Sequence, residues 1–583
     1  MGRKSDRVKH GTRRSRKRTF HGNRYSSKCE KKTQQEENTP TQESHNPETV
    51  SSKKIQNFET NTPKETDESI TGYRLVDMEI LTKIFAELQC PLCNSGGLRL
   101  REIFSKKAGF ASCLVLNCDC QFNYNREFYT SNECNKSYDV NYRMIYSMRT
   151  IGQGYASLEK FTTSMNMPRP MTKKNFNSAV KKLTKEVTEV AESTMLEAAN
   201  DLRTNTNTNN NDILDIGVSC DGTWQRRGYS SLNGIFTAIS LDSGKVLDTE
   251  VMSRYCKSCK NKEPLQEENP EEYDKWYKAH ESNCQLNHTG SAGAMELAGA
   301  TKIFSRSIEK RRLRYSKYLG DGDSKGYDEI KLIYGTKEVE KLECVGHVQK
   351  RVGTRLRNLK KTTKGLGGRG RLTDKTIDKL QNYYGIAIRS HSTVAEMKKA
   401  IHASLFHVAS SADNNYHAHC PIGESSWCRF NSDKITGLST YKAGPGLPLK
   451  IIKHVKPIYE DLSKDQLLEK CVHGKTQNQN EAFNALVWER LPKRIYVSLT
   501  TSKFGTFDAV AHFNIGKKSS VLVFERMGMI PGKYMTKGCS TLNRKRLYFA
   551  DKKSDEQIRK RRKIIRAKKK GKMDSQKEAE GRV

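Results

Sequence analysis

The sequence has no long hydrophobic run. No window approaches the roughly 18 unbroken apolar residues that a membrane-spanning helix needs, so we expect neither a transmembrane helix nor a membrane partner. The N-terminus is basic and lacks an apolar core, which argues against a secretory signal. Hydrophobic residues make up only 35% of the 583 residues and the mean hydropathy is −0.79, so we expect part of the chain to be disordered.

Acidic residues are in deficit. The chain has 66 Asp and Glu against 103 Lys and Arg, which gives a formal net charge of +37. Such an excess attracts polyanions, of which nucleic acid is the commonest large one. The basic residues also cluster, at 13–18 and again at 559–563. The first cluster resembles a nuclear localisation signal, so the sequence predicts a nuclear nucleic-acid-binding protein.

The 16 cysteines do not form the pattern of a secreted disulfide framework. The chain is long, and its cysteines come in close pairs beside histidines. This pattern favours zinc ions bound in a reducing compartment.

Changes in composition and hydrophobic period divide the chain. A polar, basic segment without hydrophobic period comes first, a cysteine-bearing unit of zinc-ribbon type follows, and a helical region leads to a longer α/β region with two insertions. The predicted boundaries are 1–68 for the disordered tail, 70–135 for the cysteine unit, 136–203 for the helical region, 212–530 for the α/β core with a zinc-binding insert (252–290) and a helical insertion (about 355–470), and 540–583 for a basic, disordered C-terminal tail.

Three acidic segments carry the chemistry. Asp221 follows an apolar, strand-like run, an Asp-Gly-Asp sequence ends another, and Glu481 begins a helix-like segment. Magnesium prefers hard oxygen ligands, and two divalent ions held by carboxylates activate the nucleophile and stabilise the leaving oxygen at a phosphodiester. If these acids converge, the protein cuts and joins nucleic acid with Mg²⁺ or Mn²⁺.

Two of these positions have competitors. For the second acid we favour Asp323, which opens a helix-like segment, over Asp321, which lies nearer the strand end. For the third we prefer Glu481 over Glu489, which lies further from the start of the same helix.

Soft ligands form two patterns that are typical of zinc. In the insert, the spacing C-x2-C-x20-H-x3-C offers three thiolates and one imidazole, with His288 as a substitute ligand. In the N-terminal unit the second pair has C-x-C spacing, so Cys113 or Cys134 could complete the site instead. The predicted ligands are Cys256, Cys259, His280 and Cys284 in the first set, and Cys90, Cys93, Cys118 and Cys120 in the second.

A third set is more ambiguous. Cys344 and His347 form a C-x2-H pair, and His417, Cys420 and Cys428 lie in the helical insertion. A zinc ion joining members of these two groups is one hypothesis. Separate buried cysteines and surface histidines are the alternative.

From about residue 75 to 530 the sequence resembles the Mutator-like transposase domain, one of the cut-and-paste DNA transposases related to Mutator and Kolobok elements. The strings that carry the resemblance are VSCDGTWQRRGYSSLNG (218–234), YLGDGDSK (318–325), CVGHVQKR (344–351), SWC (426–428) and GKTQNQNE (474–481).

The resemblance implies an RNase H-like α/β catalytic core with an insertion before the final glutamate. It implies that Asp221, one acid of the Asp-Gly-Asp pair and Glu481 bind the catalytic metals, and that Cys344 and His347 are the family's C-x2-H element. It also implies double-stranded DNA as partner, both terminal inverted repeats and target, and action as a homo-oligomer.

The leading hypothesis is therefore a transposase that frees a 3′-hydroxyl at the element end and joins it to target DNA. Lys325, Lys350 and Arg351 are candidate phosphate contacts. One alternative is a domesticated descendant that binds DNA or chromatin without cutting. Another is a zinc-containing transcription regulator, which would leave the three acids unexplained.

Overall fold

A computed structural model describes residues 49–55, 70–206, 212–226, 231–320, 325–424 and 426–555, with residues 558, 561, 562 and 565 beyond them. Asp321, Asp323, the basic segment 13–18 and the basic cluster 568–570 lie outside the described residues. Within the described part, the chain forms a mixed α/β structure with no disulfide among its cysteines.

The strands and helices are numbered in chain order. The strands are β1 (Arg99–Glu102), β2 (Cys113–Asn117), β3 (Asn125–Tyr129), β4 (Glu133–Cys134), β5 (Ser137–Tyr138), β6 (Leu214–Trp224), β7 (Asn233–Ser240), β8 (Val246–Ser253), β9 (Leu313–Gly320) and β10 (Glu340–Glu343). The helices before β9 are α1 (Val50–Lys54), α2 (Met78–Ala86), α3 (Asp139–Thr150), α4 (Tyr155–Ser164), α5 (Lys173–Asn205), α6 (Lys257–Asn261), α7 (Glu263–Glu268), α8 (Pro270–His280), α9 (Ala294–Ser305) and α10 (Ser307–Arg311). The later helices are α11 (Lys325–Ile330), α12 (Val345–Thr362), α13 (Asp374–Arg389), α14 (Val394–Ala409), α15 (Arg429–Thr436), α16 (Leu449–Asp461), α17 (Asp465–Glu469), α18 (Asn478–Arg490), α19 (Leu499–Ile515), α20 (Lys518–Arg526) and α21 (Lys533–Ser554).

A five-stranded mixed sheet organises the central region. Its strand order is β10-β9-β6-β7-β8. β6 pairs antiparallel with β7, and β7 pairs antiparallel with β8, which makes a meander from consecutive strands. On the other side β6 runs parallel to β9, and β9 runs parallel to β10, each reached through a helical crossover. The long strand β6 therefore lies at the centre of the sheet, between its antiparallel partner β7 and its parallel partner β9.

Helices cover both faces of this sheet. Nearly every residue of β7 and β8 is buried, as expected of strands packed on both sides. On one face α9 packs with Val218 and Cys220 of β6. On the other face the long helix α5 packs against α19, and α18 joins them through Phe483 and Val487. The side chains of β6 thus alternate between the α9 side and the α18 side.

The segment between β10 and α18 is largely helical and has a core of its own. The apolar faces of α12, α13, α14 and α16 meet there, around Tyr384 and Tyr459, whose rings pack edge to face. The N-terminal cysteine unit is separate in sequence and small, with α2 and the antiparallel sheet β1-β2-β3 around Leu98, Leu100 and Leu114.

The C-terminal basic segment differs from expectation. We predicted a disordered tail from residue 540, but α21 continues to Ser554. Cys539 and Asn543 are buried, and the Asn543 side-chain oxygen accepts a hydrogen bond from the Lys517 backbone N–H at 2.8 Å. This burial and the contact with the turn before α20 order a stretch whose composition alone indicated disorder.

None of the described helices combines the length and apolar character needed to cross a membrane.

Candidate acidic site and cysteine–histidine clusters

Asp221 lies near the end of the central strand. The sequence predicted a strand ending at Cys220, but β6 continues to Trp224 because its pairing with β7 continues, with Asp221 opposite Thr237. The parallel partner β9 leaves β6 earlier, after the pair Ser219 and Leu319. Asp221 therefore lies where β6 is still paired with β7 but no longer with β9.

The Asp-Gly-Asp sequence follows the end of β9 directly. Gly320 is the last residue of β9 and pairs with Glu343 of β10. β9 runs parallel to β6, with Leu319 opposite Ser219. The end of β9 at Gly320 therefore lies close to Asp221 of β6. Asp321 and Asp323 themselves lie outside the described residues, so the choice between them stays open.

Helix α18 lies along the same part of β6. The Asn484 side-chain amide donates a hydrogen bond to the Asp221 carboxylate, with 2.7 Å between Nδ2 and Oδ2. Glu481 stands three residues earlier, on the adjoining surface of the helix. Its side chain is 63% exposed, so it borders the site on the solvent side. The contact brings into proximity the elements that carry Asp221 and Glu481, some 260 residues apart in sequence.

Helix α12 contributes positive charge at this edge. The Lys350 ammonium is 3.9 Å from the Glu481 carboxylate, and both side chains are exposed. Arg351 instead pairs with Glu343 at 2.8 Å, across the junction of β10 and α12. Lys325 begins α11. Of the predicted phosphate contacts Lys350 and Arg351, Lys350 lies beside a candidate acid.

Cys344 and His347 also belong to this region. Burial, the largest influence, raises the pKa of the Cys344 thiol, but hydrogen bonds from the His347 side chain and from backbone N–H groups outweigh it, so the pKa is lowered. One of these donors is the Gln477 backbone N–H, 3.4 Å from the sulfur. The C-x2-H pair therefore joins the start of α12 to the segment that leads into α18.

The first cysteine cluster holds the four N-terminal ligands that the sequence predicted, Cys90, Cys93, Cys118 and Cys120. The Cys93 and Cys118 sulfur atoms are 3.9 Å apart. Two sulfurs on a tetrahedral zinc ion with 2.3 Å bonds stand about 3.8 Å apart, so the spacing fits. Cys113 lies within β2, and the Cys134 thiol contacts the Met527 carbonyl oxygen at 3.2 Å. These two alternatives are not part of the cluster.

The second cluster likewise holds its predicted ligands, Cys256, Cys259, His280 and Cys284. Cys259 and Cys284 bring their sulfurs to 3.5 Å, and the Cys256 sulfur is 3.3 Å from His280 Nε2. His288, the substitute ligand, instead contacts the Ser291 carbonyl oxygen. Trp276 stacks on the His280 ring at 4.7 Å between centroids and fixes its orientation.

The third cluster corrects a sequence expectation. Neither Cys344 nor His347 joins the ligands of the helical insertion; among the described residues the fourth member is His407. Sulfur-to-nitrogen distances in the cluster run from 3.5 to 3.8 Å, close to the roughly 3.6 Å expected on a tetrahedral zinc ion. The four residues are His407, His417, Cys420 and Cys428.

The chemistry of the third cluster suits a metal. Burial, with the neighbouring charges of His417 and Lys379, lowers the pKa of His407 to about 4, so its imidazole is neutral at pH 7, the form that binds zinc. His417 Nε2 meets the Tyr441 hydroxyl at 3.0 Å, the outer partner that a ligating histidine usually has. All three clusters could hold zinc.

Sequence reasoning missed His407 and the polar residues of α18. His407 precedes His417 by ten residues, which is longer than the close spacings that mark a zinc knuckle. The polar residues of α18 carried no periodic signal, because polar side chains fill positions 478 to 481 consecutively and so mark no single face of the helix.

Comparison with known proteins now identifies the class. The sequence model of the Mutator-like transposase family matches residues 72–428, more than half of the chain, and the chain belongs to this family. The family implies a DNA transposase, with DNA as its partner. The matched range includes β6, β9 and all three clusters but ends before α18. A comparison with curated proteins finds no match.

Proposed function

We propose that this protein is a DDE-type transposase with an RNase H-like core, in which Asp221, Asp323 and Glu481 bind two Mg²⁺ or Mn²⁺ ions, with Asp321 as the alternative second acid. The observation that carries the proposal is the hydrogen bond between Asn484 and Asp221, because it brings the helix of the glutamate onto the strand of the first aspartate. The second acidic pair follows the adjacent strand end.

The sheet supports the RNase H-like assignment. In an RNase H-like fold, the first strand of a three-stranded antiparallel meander is central, and two parallel strands extend the sheet on its other side. The strand order and directions are the same here. In that fold the first acid lies on the central strand, and the second follows its parallel neighbour. Asp221 lies on the central strand of this sheet, and in sequence the Asp-Gly-Asp segment follows Gly320, the last residue of β9, which supports the proposal.

The donor set fits a hard divalent cation. Carboxylate oxygens are the ligands that magnesium prefers, and the Glu481 side chain is exposed to solvent. Two such ions, when bound, activate an attacking oxygen and stabilise the leaving one. The chain's own part is to hold the carboxylates on rigid elements, while Lys350 offers a positive charge to a phosphate beside Glu481.

The proposed reaction has two displacements. In the first, a water oxygen attacks the phosphorus at the element end, the bond to the 3′ oxygen breaks, and that oxygen takes up a proton to become a free 3′-hydroxyl. In the second, the 3′-hydroxyl gives up its proton as its oxygen bonds to a phosphorus of target DNA, the bond from that phosphorus to the target's 3′ oxygen breaks, and the leaving oxygen takes up a proton. A homo-oligomer would hold two element ends, and the basic segment 13–18 would direct the protein to the nucleus.

Cleavage of the element's own ends tests the proposal. Purified zinc-loaded protein would be incubated with duplex DNA that carries the genomic sequences flanking this reading frame, with Mg²⁺ or Mn²⁺. We expect strand breaks with 3′-hydroxyl ends that are lost with Asp221→Asn and Glu481→Gln.

The chain offers matched controls for both substitutions. Asp215 lies on the same strand as Asp221, exposed and paired with Arg314, and Glu489 lies exposed on the same helix as Glu481. Asp215→Asn and Glu489→Gln should leave cleavage unchanged. Binding without cleavage by the unaltered protein would favour the domesticated alternative, and cleavage that survives Asp221→Asn would overturn the site.

A further inference from the structure

Helix α18 is held on β6 by side-chain hydrogen bonds along its length. The contacts begin at the N-cap residue Gln477, follow one helical stripe and reach positions 219, 220, 221 and 223 of the strand. They are Gln477 Nε2 to the Cys220 carbonyl (2.8 Å), Asn480 Nδ2 to the Ser219 carbonyl (3.1 Å), Asn484 Nδ2 to Asp221 Oδ2 (2.7 Å) and Trp488 Nε1 to the Thr223 hydroxyl (2.8 Å). Polar contacts of fixed geometry thus set the position of the helix on the strand.

Asn480 fixes the register of this pairing. Its amide donates to the Ser219 carbonyl and its carbonyl oxygen accepts from the Ser219 hydroxyl at 2.6 Å. Both groups are almost fully buried. A shift of the helix by one residue would break these hydrogen bonds and leave buried polar groups unsatisfied. Such a shift therefore costs free energy. Asn484, one turn further along, is therefore presented to Asp221 at a set distance.

The chemistry of Asn484 suits the orientation of a metal ligand. An amide N–H binds one carboxylate oxygen and fixes the plane of the group, yet brings no positive charge that would compete with a cation. A lysine or arginine at this position would neutralise the carboxylate. Residues that hydrogen-bond to metal ligands in this way raise metal affinity by limiting the orientations that the ligand samples.

We propose that Asn484 is a positioning residue, which orients the Asp221 carboxylate for divalent metal binding through the hydrogen bond of its side-chain amide. The inference rests on the proposed function, because it takes Asp221 as a metal ligand. It gives a role to a residue outside the proposed set of metal ligands.

Mn²⁺ binding to the full-length, zinc-loaded protein without DNA tests this role. The free Mn²⁺ signal in electron paramagnetic resonance gives the affinity directly, so the readout does not depend on cleavage. We expect Asn484→Ala to weaken Mn²⁺ binding at the Asp221 site about tenfold or more. Asn484→Gln, which keeps the amide, should recover part of the loss.

Asn478 provides the matched control, since it is an exposed asparagine at the first position of the same helix. Asn478→Ala should bind Mn²⁺ like the unaltered protein. Circular dichroism and the thermal midpoint would establish that each variant folds. If Asn484→Ala does not fold, Asn484→Leu, which has a similar volume and no hydrogen-bond donor, replaces it and carries the same expectation.

The failures of the two proposals are distinguishable. If the unaltered protein binds Mn²⁺, Asp221→Asn abolishes that binding, and folded Asn484→Ala retains the full affinity, the positioning role is overturned while the metal site stands. If the unaltered protein and Asp221→Asn bind Mn²⁺ alike, the proposed acidic metal site has failed. Loss of affinity in Asn484→Ala together with recovery in Asn484→Gln would support the role.

Discussion

The acidic site and the three cysteine–histidine clusters are assembled in different ways. Each cluster takes its ligands from a short stretch of chain, at most 31 residues for Cys90 to Cys120, and brings four ligand atoms within 4.8 Å of one another. The acidic site joins residues about 260 positions apart and leaves Glu481 largely exposed. A closed set of four soft ligands suits a structural zinc ion, whereas open carboxylates suit a site that must admit substrate.

The proposed chemistry and the stabilisation expected from zinc are located in different parts of this chain. The first two clusters tie together segments with little apolar core of their own, the N-terminal unit and the insert after β8. The acidic site is carried by elements that are already well packed, since β6 and α18 each contribute to a main core. Changes at the acids should affect reaction, and changes at the clusters should affect folding.

The largest effect is expected at Asp221. A metal ion contributes several kcal/mol of transition-state stabilisation, and each 1.36 kcal/mol is tenfold in rate, so Asp221→Asn should lower the cleavage rate by about 10³-fold or more. Zinc content and the thermal midpoint should stay those of the unaltered protein. If Asp221→Asn lowered the thermal midpoint strongly as well as the cleavage rate, the acidic site would affect folding as the zinc clusters are expected to do. The contrast between the two kinds of site would then be wrong.

The next largest effect is expected at Cys428, which is fully buried in the third cluster. Cys428→Ser should release one zinc ion per chain and destabilise the end of α14 and α15, because zinc binding supplies folding free energy at structural sites. Hydrogen exchange measured by mass spectrometry should show lost protection there, with β6 unaffected. Unchanged exchange would mean that the cluster does not stabilise the insertion.

A pair of histidines tests the corrected ligand set. His407→Asn should lower zinc content by one ion per chain, whereas His347→Asn, at the start of α12, should leave it unchanged. Metal analysis of the purified variants would measure both. The reverse result would restore the zinc ion that the sequence placed between Cys344 or His347 and the helical insertion.

The smallest effect is expected at Trp488. Trp488→Phe removes the hydrogen bond to the Thr223 hydroxyl but keeps an aromatic ring, so the free energy of unfolding should fall by about 1 kcal/mol. Urea denaturation would measure it, and a double-mutant cycle with Thr223→Val would isolate the pair. Mn²⁺ affinity should not change, because this contact lies beyond Asp221 on the strand.

Much of the fold was predictable because its signals are local. The apolar runs of β7 and the helical spacing of apolar residues in α9 are visible in the sequence, and DSGK (242–245) marks the turn before β8. The ligands of the first two clusters follow from knuckle spacing. The extension of β6 to Trp224 was not predictable from the sequence, because it depends on pairing with β7. Nor was the ordered C-terminal helix, which depends on contacts of Asn543 with a distant turn.

The kinds of ligand follow from the sequence alone: hard carboxylates after strand-like runs and soft thiolates at zinc spacing, in a chain of strong positive charge. The tertiary structure decided which of them meet. It brought His407 into the third cluster and kept Cys344 beside Gln477. It also placed Asn484 on Asp221. The physical reason is that spacing along one helix or knuckle fixes nearby partners, whereas partners hundreds of residues apart are chosen only by how the sheet and its helices pack.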